Sequence, residues 1–143
     1  MATGEANPEI VAAVTKLITD GPALSDDVLL SANNVNGKSF DIERVDFDVA
    51  MNKDQRWRFS EGTDAMLHPV HLHGCQYRIL AMNGKAPPAH LVGWKDTMPI
   101  EKGGTVDIQV RFEYPATREK PYMAHCHILE HEDSGMMAAF TVS

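Results

Sequence analysis

Six of the seven histidines of this 143-residue chain fall in two short segments, and both cysteines lie close to them. The first segment is His68-Pro69-Val70-His71-Leu72-His73-Gly74, followed by Cys75. The second is His125-Cys126-His127-Ile128-Leu129-Glu130-His131-Glu132-Asp133-Ser134-Gly135-Met136-Met137. Imidazole, thiolate and thioether are ligands for first-row transition metals, and the softness of the sulfur donors decides which. In an extended strand successive side chains point to opposite faces. His71 and His73 then share a face, as do His125 and His127, while His68 and Cys126 point the other way; Pro69 makes strict alternation less secure at His68.

The clusters divide into two donor sets. His68, Cys126 and, past a turn, His131 and Met136 give two imidazoles, a thiolate and a thioether. That is the ligand set of a blue-copper electron-transfer site, with the methionine as a weak axial ligand. Zinc also accepts Cys and His, but gains little from a thioether. Met137 is the neighbouring alternative to Met136. The second set, His71, His73, His125 and His127, is too large for one open catalytic ion and too small to close a cluster of several. It lies directly beside Cys126 in sequence, so an electron at the thiolate has a short covalent route to whatever His125 and His127 bind. The isolated His90 reads as an ordinary surface or satisfied core histidine.

These segments need strands to hold them. Val45, Phe47, Val49 and Met51 alternate with polar residues, Trp57 and Phe59 follow after a turn, and Val106, Ile108, Val110 and Phe112 alternate most clearly. Asn36-Gly37, Asn83-Gly84, Pro87-Pro88 and Gly103-Gly104 separate the runs. The pattern predicts an all-β, Greek-key sandwich or barrel over residues 34–143. Residues 1–33 read differently: a short amino-terminal helix capped at Asn7-Pro8 and stopped at Gly21, then a connector over 22–33.

Twenty acidic residues against thirteen Lys plus Arg give a net charge of −7, which argues against nucleic-acid binding. No apolar run approaches the roughly 20 residues that span a bilayer, so no membrane segment is expected. Met1-Ala2-Thr3-Gly4-Glu5 shows no leader. An exported chain would have to be already processed or carried by a partner.

HPVHLHG at 68–74, GWKDT at 93–97 and HCHILEHEDSGMM at 125–137 resemble the third, carboxy-terminal cupredoxin domain of multicopper oxidases, and more narrowly of CueO-type cuprous oxidases that also act as laccases; NGKSFD at 36–41 and YMAHCH at 122–127 support the likeness. The resemblance implies that His68, Cys126, His131 and Met136 hold a type 1 copper, with Met136 axial. It implies His71 as a type 2 ligand and His73, His125 and His127 as ligands of paired type 3 coppers. The type 1 copper would take electrons from cuprous ion or a small phenolic substrate. The trinuclear cluster would then reduce dioxygen to water.

The resemblance also implies that Asp64 and Met66 bind a substrate cuprous ion and that Glu132 relays protons. The plainer alternatives are that Asp64 ends a turn, Met66 fills the core and Glu132 is a solvated loop carboxylate. Cys75 stands where relatives usually carry Thr or Val, and reads as a free thiol packing as a small hydrophobe. The methionine-rich insert of CueO-like proteins is absent. Such a trinuclear cluster takes eight histidines, four of them in two His-x-His pairs of the first domain, and this sequence has no such further pairs. The expectation is an oxidase subunit or fragment completed by other cupredoxin domains or a second subunit. The alternatives are a stand-alone blue-copper carrier without oxidase activity or, less favoured, a homo-oligomer pooling its histidines. By the same likeness the location would be periplasmic or extracellular.

Overall fold

The computed structural model describes residues 24–31, 34–62 and 66–143. The proposed amino-terminal helix and Asp64 lie outside them. The elements are β1 (Leu24–Ser31), β2 (Asn34–Val35), β3 (Phe47–Val49), β4 (Gln55–Glu61), β5 (His68–Leu72), β6 (Tyr77–Met82), β7 (Trp94–Lys95), β8 (Thr97–Ile100), β9 (Thr105–Val110), β10 (Tyr122–Cys126), the short helix α1 (Leu129–Asp133) and β11 (Met137–Val142). They form two sheets. One has the order β2-β1-β4-β9-β6-β7 and the other β3-β11-β10-β5-β8. The chain crosses between the sheets several times, which gives the expected all-β sandwich.

Period-two patterning explains which faces meet. In β4, Gln55, Trp57, Phe59 and Glu61 are buried, while Arg56, Arg58 and Ser60 are only partly so. Trp57 is fully buried, with ring centroids 5.6 Å from Phe112, 5.7 Å from Phe140 and 5.8 Å from Phe47. Its indole N–H donates to Gln55 Oε1 at 3.0 Å, and Gln55 Nε2 donates to the carbonyl of Ala50, so the apolar centre holds no orphaned donor there. This aromatic cluster seats the inner face of the second sheet, on which His68 and Cys126 stand.

Two expectations are corrected. The segment read as a connector contains a strand: Leu24–Ser31 runs parallel to β4 and antiparallel to β2, with Val28 and Leu30 buried. Adjacent aspartates Asp26 and Asp27 hide the alternation, and its parallel partner lies some thirty residues away. The run from Val45 to Met51 is also shorter than its pattern, since only Phe47–Val49 is strand. Asp46 ends it, because its carboxylate accepts the Ala139 N–H at 3.0 Å.

On the outer face of the first sheet, Asp107 is 3% exposed and paired with two arginines. Arg58 Nε reaches its Oδ1 at 2.7 Å, and the Arg56 guanidinium donates to Oδ2. Burial alone would raise this carboxyl. The hydrogen bonds and charges of Arg58 and Arg56 outweigh it and hold the group below its usual range. A depressed carboxyl contributes stability above its unfolded pKa, near 3.9, and that contribution is lost as the pH falls through the folded value. Asp107→Asn is expected to cost about 1.5–3 kcal/mol at pH 7. Urea unfolding at descending pH should show the gap to wild type closing below about pH 4.

Candidate metal centre

Strands β5 and β10 lie side by side and antiparallel, with His71 opposite His125, Val70 opposite Cys126 and Leu72 opposite Ala124. His68, Val70 and Leu72 are buried on one face while Pro69 and His71 are only partly buried, so the alternation runs unbroken through Pro69. Cys126 shares the inner face with Val70 and His68. His71 and His125 share the outer face, and the backbone extends it at both ends. His73 N–H donates to the carbonyl of Met123, and His127 N–H to that of Pro69 at 2.7 Å.

On the inner side three ligand atoms converge. Cys126 Sγ lies 3.6 Å from His68 Nδ1 and 3.7 Å from His131 Nδ1, and the two nitrogens are 3.3 Å apart. The centre of such a triangle lies about 2.0 Å from each corner, close to the bond lengths of imidazole and thiolate to a first-row metal. Burial pushes the Cys126 thiol up, Glu132 adds to this, and the Ile128 N–H bond to Sγ opposes it. A buried thiol whose pKa is raised is a weak acid and forms its anion poorly by itself. A cation taking the proton's place supplies the missing charge. The donor set therefore fits a soft-ligated metal.

The return loop fixes the fourth candidate. His131 stands in α1, and its carbonyl accepts the Met136 N–H at 2.8 Å; the Met136 carbonyl in turn accepts the Cys126 N–H at 3.2 Å. Met136 is fully buried. Met137 pairs with His125 in the β10–β11 ladder, which assigns it to the outer face, away from Cys126.

The outer side gathers the other four histidines. Ligand atoms of His71, His73 and His125 lie within 4.8 Å of one another. His127 joins them with ring centroids 5.0 Å from His125 and 5.5 Å from His71, and it is exposed. His71 Nδ1 donates to the carbonyl of Asp96 at 2.8 Å, which leaves its Nε2 lone pair for a metal. Burial, then the neighbouring His125 and His71, lower the His73 pKa against the opposing pull of Glu132. That favours the neutral imidazole, the ligating form. The glycine that ends the first motif has a steric reason: Gly74 has φ +74°, and a Cβ there would meet the Tyr122 ring at 2.2 Å.

Glu132 lies beside the outer set, its Oε2 3.5 Å from His125 Nδ1, and is not simply a solvated loop carboxylate. Met66 is 51% exposed, so it does not fill the core. Cys75 is a free thiol packed partly against the core; burial and the nearby Asp96 push its pKa up to about 12. His90 is exposed on a 3-10 turn. The sequence reading missed the holder of His71. GWKDT was visible as a motif, but the acceptor is a backbone carbonyl, which no residue type announces. Among the described residues no helix is long and apolar enough to cross a membrane.

The family model described as multicopper oxidase matches residues 13–143. A multicopper oxidase of Staphylococcus aureus is 41% identical over 112 residues, covering 76% of this chain and 24% of its own length. The crystal structure of a multicopper oxidase from Pediococcus acidilactici superposes with a TM-score of 0.77 at 37% identity, over 85% of this chain and 28% of that one. A laccase-like CueO from Ochrobactrum superposes at 0.74 and 34% identity, over 87% of this chain and 33% of that one. The chain thus spans about a quarter to a third of the relatives it matches, and its two-sheet sandwich is their cupredoxin fold. With a matching family model over most of its length and histidine–cysteine clusters able to hold metal, the chain belongs to the multicopper oxidase family.

Proposed function

We propose that this chain is the electron-accepting domain of a copper oxidase and supplies half of its dioxygen-reducing centre. His68, Cys126, His131 and Met136 would hold one type 1 copper. His71 would serve a type 2 copper, and His73, His125 and His127 a type 3 pair, in a cluster completed by other cupredoxin domains of the same chain or of a second subunit. Copper in these places supplies one-electron oxidation of cuprous ion or a small phenol at the first site and four-electron reduction of dioxygen at the second.

The observation that carries this reading is the division of β10. At the end of β10 Cys126 points inward, while His125 before it and His127 just past the strand stand outward, so a single peptide unit on either side of the thiolate separates the two donor sets. Each outward imidazole is one residue along the backbone from the thiolate, which gives the electron a short covalent path. Glu132 can hand a proton toward the outer set through the edge of His125. Met66, exposed two residues before His68, offers a thioether suited to cuprous ion. Asp64 belongs to the same substrate proposal by its position in sequence alone. A periplasmic or extracellular location forms part of the reading, by likeness to the family.

The four outward histidines weigh against a stand-alone carrier, which needs only the inner set. They also predict a stoichiometry. The chain alone is expected to bind about one tightly held, blue copper, and about four once the partner domains are present. Copper counting with visible spectra and dioxygen uptake checks it. Dioxygen reduction to water by the chain alone would exclude the need for a partner.

A further inference from the structure

The loop that carries His131 and Met136 is held from outside by a residue far from either. Gly135, with φ +104°, presses against the 39–40 segment: a Cβ there would lie 3.0 Å from Phe40 N and 3.1 Å from Ser39 Cβ, and Phe40 N–H donates to the Gly135 carbonyl at 3.0 Å. Segment 39–40 is anchored in turn by Arg44. One arm of its guanidinium donates to the Ser39 carbonyl at 2.7 Å, and Nε donates to Asp46 Oδ1 at 2.6 Å. Asp46 closes the circuit on β11, accepting the Ala139 N–H at 3.0 Å through Oδ2 and donating its own N–H to the Ala139 carbonyl at 2.8 Å.

The circuit runs Gly135, Phe40–Ser39, Arg44, Asp46, Ala139, and Met136 lies on the covalent span between its two ends. We infer that Arg44 is a positioning residue which, through Ser39–Phe40 and Asp46, fixes where Met136 stands relative to Cys126, and so sets the axial interaction and the reduction potential of the inner site. This rests on the reading of Met136 as axial ligand. An axial donor stabilises the cupric state more than the cuprous, so a Met136 less firmly held shifts the balance toward cuprous and raises the potential. Arg44 is placed to be tested: its side chain is 32% exposed, and its loss opens no core cavity.

The experiment measures the reduction potential and the visible and electron paramagnetic resonance spectra of the copper-loaded chain. The variants are Arg44→Ala, Arg44→Lys, Met136→Leu and the control Arg111→Ala, a partly exposed arginine whose nearest acids are Asp54 at 3.8 Å and Glu113 at 3.7 Å. Met136→Leu is expected to raise the potential. Arg44→Ala should raise it less, with a matching spectral shift. Arg44→Lys, which keeps the charge but not the fork, should fall between Arg44→Ala and wild type, and Arg111→Ala should leave it unchanged. The sign is diagnostic, because simple loss of a cation favours the cupric state and lowers the potential. If Arg44→Ala lowers or does not change the potential while Met136→Leu raises it, the brace is overturned and the ligand reading stands. If Met136→Leu has no effect either, the ligand reading fails and the inference falls with it. Arg44→Gln, which also removes the charge and the fork and so keeps the same diagnostic sign, serves as the second variant should Arg44→Ala not accumulate as folded protein.

Discussion

Copper-loaded Cys126→Ser is expected to be colourless. The intense visible band of a site with two imidazoles and a thiolate arises from charge transfer out of the sulfur, and a serine hydroxyl has no comparable donor orbital. Sγ is also the corner common to the 3.6 Å and 3.7 Å edges of the inner triangle, so its loss leaves only the two imidazole nitrogens 3.3 Å apart. Copper affinity should therefore fall along with the colour. The fold should survive, since the exchange nearly preserves volume at a fully buried position. A buried hydroxyl without a full set of partners costs about 1–3 kcal/mol, and the Ile128 N–H that reached the sulfur offsets part of it. Visible spectra of the loaded protein and thermal unfolding of the metal-free protein separate the two effects. A blue variant with wild-type absorbance would rule out Cys126 as the colour-giving ligand.

The division of the ligands was legible in sequence because it depends on one local rule. A strand alternates, so His125-Cys126-His127 has to split its side chains between two faces wherever the strand lies. The same rule reached His71 and His73. It weakened where the backbone stops being a strand. Met136 and Met137 follow a helix and a turn, and only the pairing of Met137 with His125 assigns them to opposite faces. Strand β1 is hidden for a different reason: its long pairing is with β4, where parallel strands leave no turn signature, and its antiparallel partner β2 is only two residues long. Least legible were the contacts made by backbone groups. The Asp96 carbonyl that orients His71 and the Phe40 N–H that holds Gly135 are available to any residue, so their roles depend on tertiary placement alone. Gly74 is an intermediate case, visible as a glycine but explained only by the Tyr122 ring that occupies its missing side chain's place.

His127→Ala is expected to separate colour from catalysis. The His127 ring is exposed on the outer face, and its backbone N–H keeps its bond to the Pro69 carbonyl whatever the side chain, so neither core nor strand register changes. Cys126 remains inward between its two imidazoles, and the visible spectrum should match wild type. In the oxidase assembled with its other domains, dioxygen uptake should fall by more than about 100-fold, beyond the 10–100-fold typical of losing a residue that only supports a ligand. Reduction of the blue colour by substrate should continue, because the electron still enters the inner site, but reoxidation in air should stall. That asymmetry distinguishes a ligand of the second centre from a residue that merely packs near the first. A merely structural defect would disturb colour, reduction and reoxidation together. If reoxidation proceeds at the wild-type rate, the outward histidines serve something other than dioxygen, and the inner set alone would remain to explain the chain's chemistry.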